Sequence, residues 1–166
     1  MCIIEVLLIL TGEFSLIHLK VLGSMLYIIV FGIFTSKYAD LYEDKNGKYF
    51  GMFGICIATF EFIVFTLQLW EVIQIESMPI RKLLVSLLVV CVAIYHTAYI
   101  LLIKLKNAIS TKFSIATQIL IGITYTLFII LIIAEISNDF YIRLLLVFSI
   151  LTLFTTIATF ITNKIK

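Results

Sequence analysis

Charge is what this chain has least of. Asp, Glu, Lys and Arg make up 13% of its 166 residues, where a soluble domain carries about 25%, so a water-facing globule with a charged shell is excluded. Proline and tryptophan occur once each, histidine twice and cysteine three times. The single proline, Pro79, leaves long stretches in which nothing breaks a helix. Cys2, Cys56 and Cys91 stand apart, which excludes a C-x-x-C redox pair or a zinc site; the two inside apolar runs read as small buried side chains. His18 and His96 are too few and too unequal in depth for bis-imidazole haem ligation. With a first span beginning near Phe14, they would lie ~15 Å apart along the membrane normal at 1.5 Å per residue. Neither G-x-S-x-G nor H-E-x-x-H occurs, nor a glycine loop that would cradle phosphate, so the chain is expected not to be an enzyme and to need no cofactor or metal. Asp40, Glu43 and Asp44 have a spacing that suits Mg²⁺, but Lys37, Lys45 and Lys48 are interleaved with them and Asn46-Gly47 is a turn signal, so a solvated loop is expected. A net charge of +2, spread over loops, excludes a nucleic-acid surface.

What is abundant is apolar: 63% of residues are hydrophobic and the mean hydropathy is +1.20. Uninterrupted runs recur at about the ~20 residues a helix needs to cross ~30 Å of hydrocarbon. The expected fold is all-α, a polytopic transmembrane helical bundle forming a single membrane domain over 1–166. Its five spans fall at about 14–34, 50–75, 82–103, 113–135 and 141–162, and the lipid bilayer is its solvent. The first residues read two ways. Glu5, Glu13 and Lys20 share a polar stripe, which suits an amphipathic stretch at the interface before the first span, or one long helix bent near Gly12. Separate insertion of that stretch would give six segments. Without a basic n-region, a cleaved signal peptide is not expected.

The loops carry the orientation. With five crossings, eight of the twelve basic residues lie on one side: Lys37, Lys45, Lys48, Lys104, Lys106, Lys112, Lys164 and Lys166. Arg81, Lys82, Arg143 and Lys20 lie on the other. The positive-inside rule puts the C-terminus in the cytoplasm and the N-terminus outside, with Trp70 and Glu71 near the outer interface.

Polar residues within the spans are the chemistry on offer. Glu61 lies near the middle of the second span, where ionisation costs at least ~2.5 kcal/mol. Gly54, Glu61 and Gln68 recur every seven residues and share a face, with Glu71 about 80° round from it. His96, within ~6 Å of Glu61 in depth, is its candidate partner and a proton relay, although a bond to a neighbouring carbonyl or threonine would satisfy it equally. Gln118 falls in the row Ser114, Gln118, Gly122, Thr126, and the last span carries Ser149, Thr152, Thr156 and Thr159. Such rows, like Gly47-x-x-x-Gly51 and Gly54-x-x-x-Ala58, are expected to serve helix packing.

Two functional readings follow. One is a small transporter or channel, oligomeric, moving a proton, ion or small solute along Glu61, His96, Gln118, Gln68 and Glu71. The other is an accessory or scaffold subunit of a larger membrane complex. Expected partners are a second copy or other membrane subunits. The absence of an internal repeat excludes an inverted-repeat transporter within one chain.

Overall fold

The computed structural model describes residues 16–44, 47–103, 105–136 and 138–164. The expected N-terminal stripe of Glu5 and Glu13, the bend at Gly12 and the sixth segment lie outside these residues, as do Cys2, Lys45, Lys104 and Lys166. Five helices account for most of the rest: α1 Leu16–Glu43, α2 Lys48–Leu69, α3 Met78–Leu101, α4 Ala108–Ala134 and α5 Asp139–Lys164. Each has at least 22 residues, or ~33 Å, and all five are long and apolar enough to span a bilayer. The chain is a multi-pass helical membrane protein. Among the described residues there is no strand.

Two helix ends differ from the sequence expectation. The first helix does not stop near Phe34 but continues to Glu43. No proline or glycine interrupts residues 33–43, Lys37 and Asp40 pair one turn apart at 2.8 Å, and Tyr38 and Leu41 in the added turns are fully buried. Packing thus keeps helical what its charges suggested was loop. The second helix ends at Leu69, short of Ile75. Glu71 has a φ of 58°, its N–H bonds the Gln68 carbonyl at 3.0 Å, and the Val72 N–H returns to the Leu67 carbonyl at 2.9 Å. This is a Schellman stop, with glutamate where glycine is usual.

A glutamate there sits at the negative end of the helix dipole in a left-handed conformation, two costs that call for compensation. Lys20 of α1, its side chain 17% exposed, supplies it at 2.9 Å. The same device recurs at the end of α4, where Glu135 has a φ of 51° and meets Lys82 of α3 at 2.7 Å. The hydrogen bond from Lys82, reinforced by its charge, holds the Glu135 carboxyl below the usual range. A depressed acid stabilises the folded state above the ordinary glutamate range, and that contribution is lost as pH falls through the lowered value. Thermal unfolding of the wild type, compared with Glu135→Gln, should therefore differ at pH 7, and the difference should shrink as pH falls below the ordinary glutamate range and vanish below the lowered value.

The helices assemble as two hairpins, α1–α2 and α4–α5, with α3 between them. In the first hairpin the backbones nearly touch. A Cβ built on Gly51 would lie 2.5 Å from the Tyr42 nitrogen and 2.6 Å from the Tyr38 oxygen, and one on Gly54 would meet the Tyr38 ring at 2.8 Å. Tyr27, Phe31, Phe34 and Tyr38 form the facing aromatic stripe of α1. The second hairpin is joined by hydroxyls: Thr124 to Thr152 at 2.8 Å, Thr117 against Thr159 at 3.3 Å, and the Tyr141 hydroxyl donating to the Leu127 carbonyl at 2.8 Å. Its seam on α4 is Ser110, Ser114, Thr117, Ile121 and Thr124. The expected row leaves it, since steps of four rotate about 40° each while alternating steps of three and four do not. Gly122 and Thr126 consequently face outward.

Candidate functional site

The α1–α2–α3 half encloses a group that an apolar core does not ordinarily hold. Glu61 is 0% exposed, in a helix whose other buried residues are Gly51, Gly54 and Ala58. Neither carboxyl oxygen has a hydrogen-bond partner among the described residues. The surroundings explain this isolation. Phe31, Tyr38, Ala58, Cys91 and Ile94 form the core, with Phe62, Phe65 and Leu88 packed against it. Glycine and alanine at positions 51, 54 and 58 let α2 approach α1 so closely that Glu61, one turn beyond Ala58, is drawn in with them.

On α3, Cys91 lies within electrostatic reach of Glu61. The Cys91 carbonyl accepts the Tyr38 hydroxyl of α1 at 2.5 Å, so three helices converge at this depth. His96 does not join them. Five residues beyond Cys91, it is turned about 140° round α3 and faces the other hairpin. There its Nε2 lies 3.0 Å from Thr156 Oγ1, and its ring meets Tyr125 edge-on at 6.4 Å between centroids. Thr156 Oγ1 also lies 2.7 Å from the Thr152 carbonyl, so the hydroxyl links the imidazole to the α5 backbone. The expected Glu61–His96 pair is corrected accordingly: depth matched, direction did not. The threonine bond that was its alternative is the one present.

The remaining predicted residues divide between the halves. Gln68 lies on α2, on the Glu61 face and one heptad nearer the end of the helix. It lines a cavity of about 290 Å³ with Glu71, Gln74, Glu76 and Arg81, between the C-terminus of α2 and the N-terminus of α3. Glu71 lies at that cavity but is engaged by Lys20. Gln118 is half-buried on α4, a helix that packs on α3 and α5, and does not share the Glu61 site. Thus Glu61, Gln68 and Glu71 lie along one side of α3, and His96 and Gln118 along the other.

Comparison with known proteins adds no family to this geometry. No family model matches the sequence, and neither a curated protein nor a solved structure is similar to it. The functional reading therefore stands on the residues themselves.

Sequence reasoning missed several of these. Tyr38 was placed in a loop, yet it is fully buried and ties α1 to α3. Lys20–Glu71 and Lys82–Glu135 were not paired, although glutamate at the end of an apolar run, with lysine at matching depth on the preceding span, was a readable signal. Ser86, buried with its hydroxyl unpartnered among the described residues, had no signal beyond its residue type. Among the described residues no group of three or more His, Cys, Asp or Glu side chains is placed to hold a metal ion.

Proposed function

We propose that this protein is a proton-linked membrane transporter in which Glu61 takes up and releases the proton. The supporting observation is that Glu61 is wholly enclosed with neither oxygen bonded. A bare carboxylate there carries an uncompensated desolvation cost, most of which a proton removes. Such a group is poised between two states: neutral when enclosed, charged when water or a counter-ion reaches it. Conformation and protonation are thereby linked, which is the requirement for coupling.

The shortest approach is from the Glu71 end. Glu61 lies eight residues, ~12 Å, from Leu69, and thirteen, ~20 Å, from Lys48 at the other end. On the longer side Gly54 packs on the Tyr38 ring and closes the way. Gln68 and the cavity beyond it supply polar groups along the shorter one. In this reading the basic Lys48 end faces the cytoplasm, by the positive-inside rule, and the Glu71 end faces outside. The protein works as a homo-oligomer or beside other membrane subunits, its outer helix faces covered by lipid or by those neighbours. A scaffold role that used Glu61 to grip another chain is less well supported, because Glu61 is shielded by its own helices.

Reconstituted vesicles test the proposal. With a pH-sensitive dye inside, vesicles holding the protein should acidify when a proton gradient is imposed together with the transported solute. Protein-free vesicles should not. Equal rates in the two would dispose of the transport reading.

A further inference from the structure

The cavity beyond Gln68 has a charge arrangement of its own. It is an open cleft of about 290 Å³ in which Glu71, Gln74, Glu76 and Arg81 are exposed, the size of a small metabolite or a lipid headgroup. Its two ends are electrically opposite. On one side stands the C-terminus of α2, the negative end of its dipole; on the other, the N-terminus of α3, the positive end of its own. Arg81 lies in the first turn of α3, where a cation is disfavoured by the dipole, and its Nε donates to the Ile75 carbonyl at 2.6 Å. That bond anchors the guanidinium, and among the described residues no carboxylate pairs with its terminal nitrogens. Lys82, the next residue, has Glu135; Arg81 has no such acid among the described residues.

Glu76 lines the same cavity. Among the described residues its carboxylate and the Arg81 guanidinium form no ion pair, and the third charged group, Glu71, is taken by Lys20. Opposite charges that share a small cavity without meeting define a ligand that meets both. The amides of Gln68 and Gln74 complete the lining with groups that either donate or accept.

We infer that this cavity binds a small zwitterion, with Arg81 and the α3 N-terminus holding its anionic end and Glu76 its ammonium. The chemistry has two sources: a free amino acid, or the ammonium and phosphate of a phosphatidylethanolamine headgroup. That the ligand is the transported solute rests on the proton-coupled reading above; that it binds does not.

Calorimetry on the full chain in phosphatidylglycerol nanodiscs, titrated with glycine, β-alanine and γ-aminobutyrate, tests the site and measures its charge spacing. At least one of the three should bind tenfold or more tightly than propionate or propylamine. Glu76→Gln and Arg81→Gln should each weaken that binding at least tenfold. Glu76 is solvent-exposed, so its variant remains decisive if loss of the Arg81–Ile75 bond unfolds the other. A second arm uses discs containing phosphatidylethanolamine: co-purification of that lipid with the wild type, lost in Glu76→Gln, assigns the headgroup, and amino-acid binding undiminished in these discs assigns the free solute. Binding is read at equilibrium without a proton gradient, so a failure of proton coupling is separable from a failure of this site. Equal binding of singly charged and zwitterionic compounds, or zwitterion and lipid binding both indifferent to Glu76 and Arg81, overturns the inference.

Discussion

Replacing Glu61 by glutamine is expected to reduce proton-coupled flux at least tenfold while the protein still inserts, assembles and melts normally. The amide has nearly the same shape as the protonated acid, so the packing of this enclosed side chain is kept, but it cannot release a proton. Stability should hold or rise. An ionised carboxyl in mid-membrane costs at least ~2.5 kcal/mol, and neither Glu61 oxygen has a bond to lose among the described residues. Glu61→Asp keeps the proton on a shorter arm and should retain part of the flux. Proton influx and thermal unfolding, measured on the same preparations, check both halves of the expectation. Full flux in Glu61→Gln would remove Glu61 from the mechanism.

Replacing Gly51 by leucine should produce the largest loss of stability of any single change in α2. The added Cβ would lie 2.5 Å and 2.6 Å from main-chain atoms of Tyr42 and Tyr38 in the last turns of α1, and backbone has no rotamer by which to yield. Overpacking typically costs about 1–3 kcal/mol, and here the whole α1–α2 approach must open. The damage should spread, because Tyr38 would withdraw from the Cys91 carbonyl and Glu61 would lose its cover. Gly122 provides the control: a Cβ there meets nothing within 4 Å, so Gly122→Ala should be neutral, or stabilising by up to about 1 kcal/mol through helix propensity. Unfolding in mixed detergent micelles reads both variants. Similar midpoints for Gly51→Leu and the wild type would show that the two helices are not in backbone contact.

These two sites show what the sequence disclosed. Five spans were legible because hydrocarbon imposes one rule on every residue within it: apolar side chains and hydrogen-bonded backbone. The Gly51 contact was legible for a related reason, since small residues at four-residue spacing serve close helix approach. Helix ends were harder. Lys37 and Asp40 read as loop, but burial of Tyr38 and Leu41 keeps their segment helical, and burial against a distant helix is not written locally. The pairing of Glu61 failed for an angular reason. Depth follows from counting residues, whereas direction depends on how α3 is rotated, and a turn of about 140° sends His96 to Thr156. Glu71 and Glu135 hold left-handed positions that favour glycine, a choice understood only once Lys20 and Lys82 are in view.

Carboxyl labelling tests the central claim most directly: that Glu61 is an unbonded acid sheltered within the bilayer. Membranes containing the protein are treated with a membrane-soluble carbodiimide or with a water-soluble one, and the modified residue is located by mass spectrometry. The hydrophobic reagent should modify Glu61, with labelling absent from Glu61→Gln, while the water-soluble reagent should modify exposed acids such as Glu76 and leave Glu61 untouched. Ready labelling of Glu61 by the water-soluble reagent, or none by the hydrophobic one, would contradict the account.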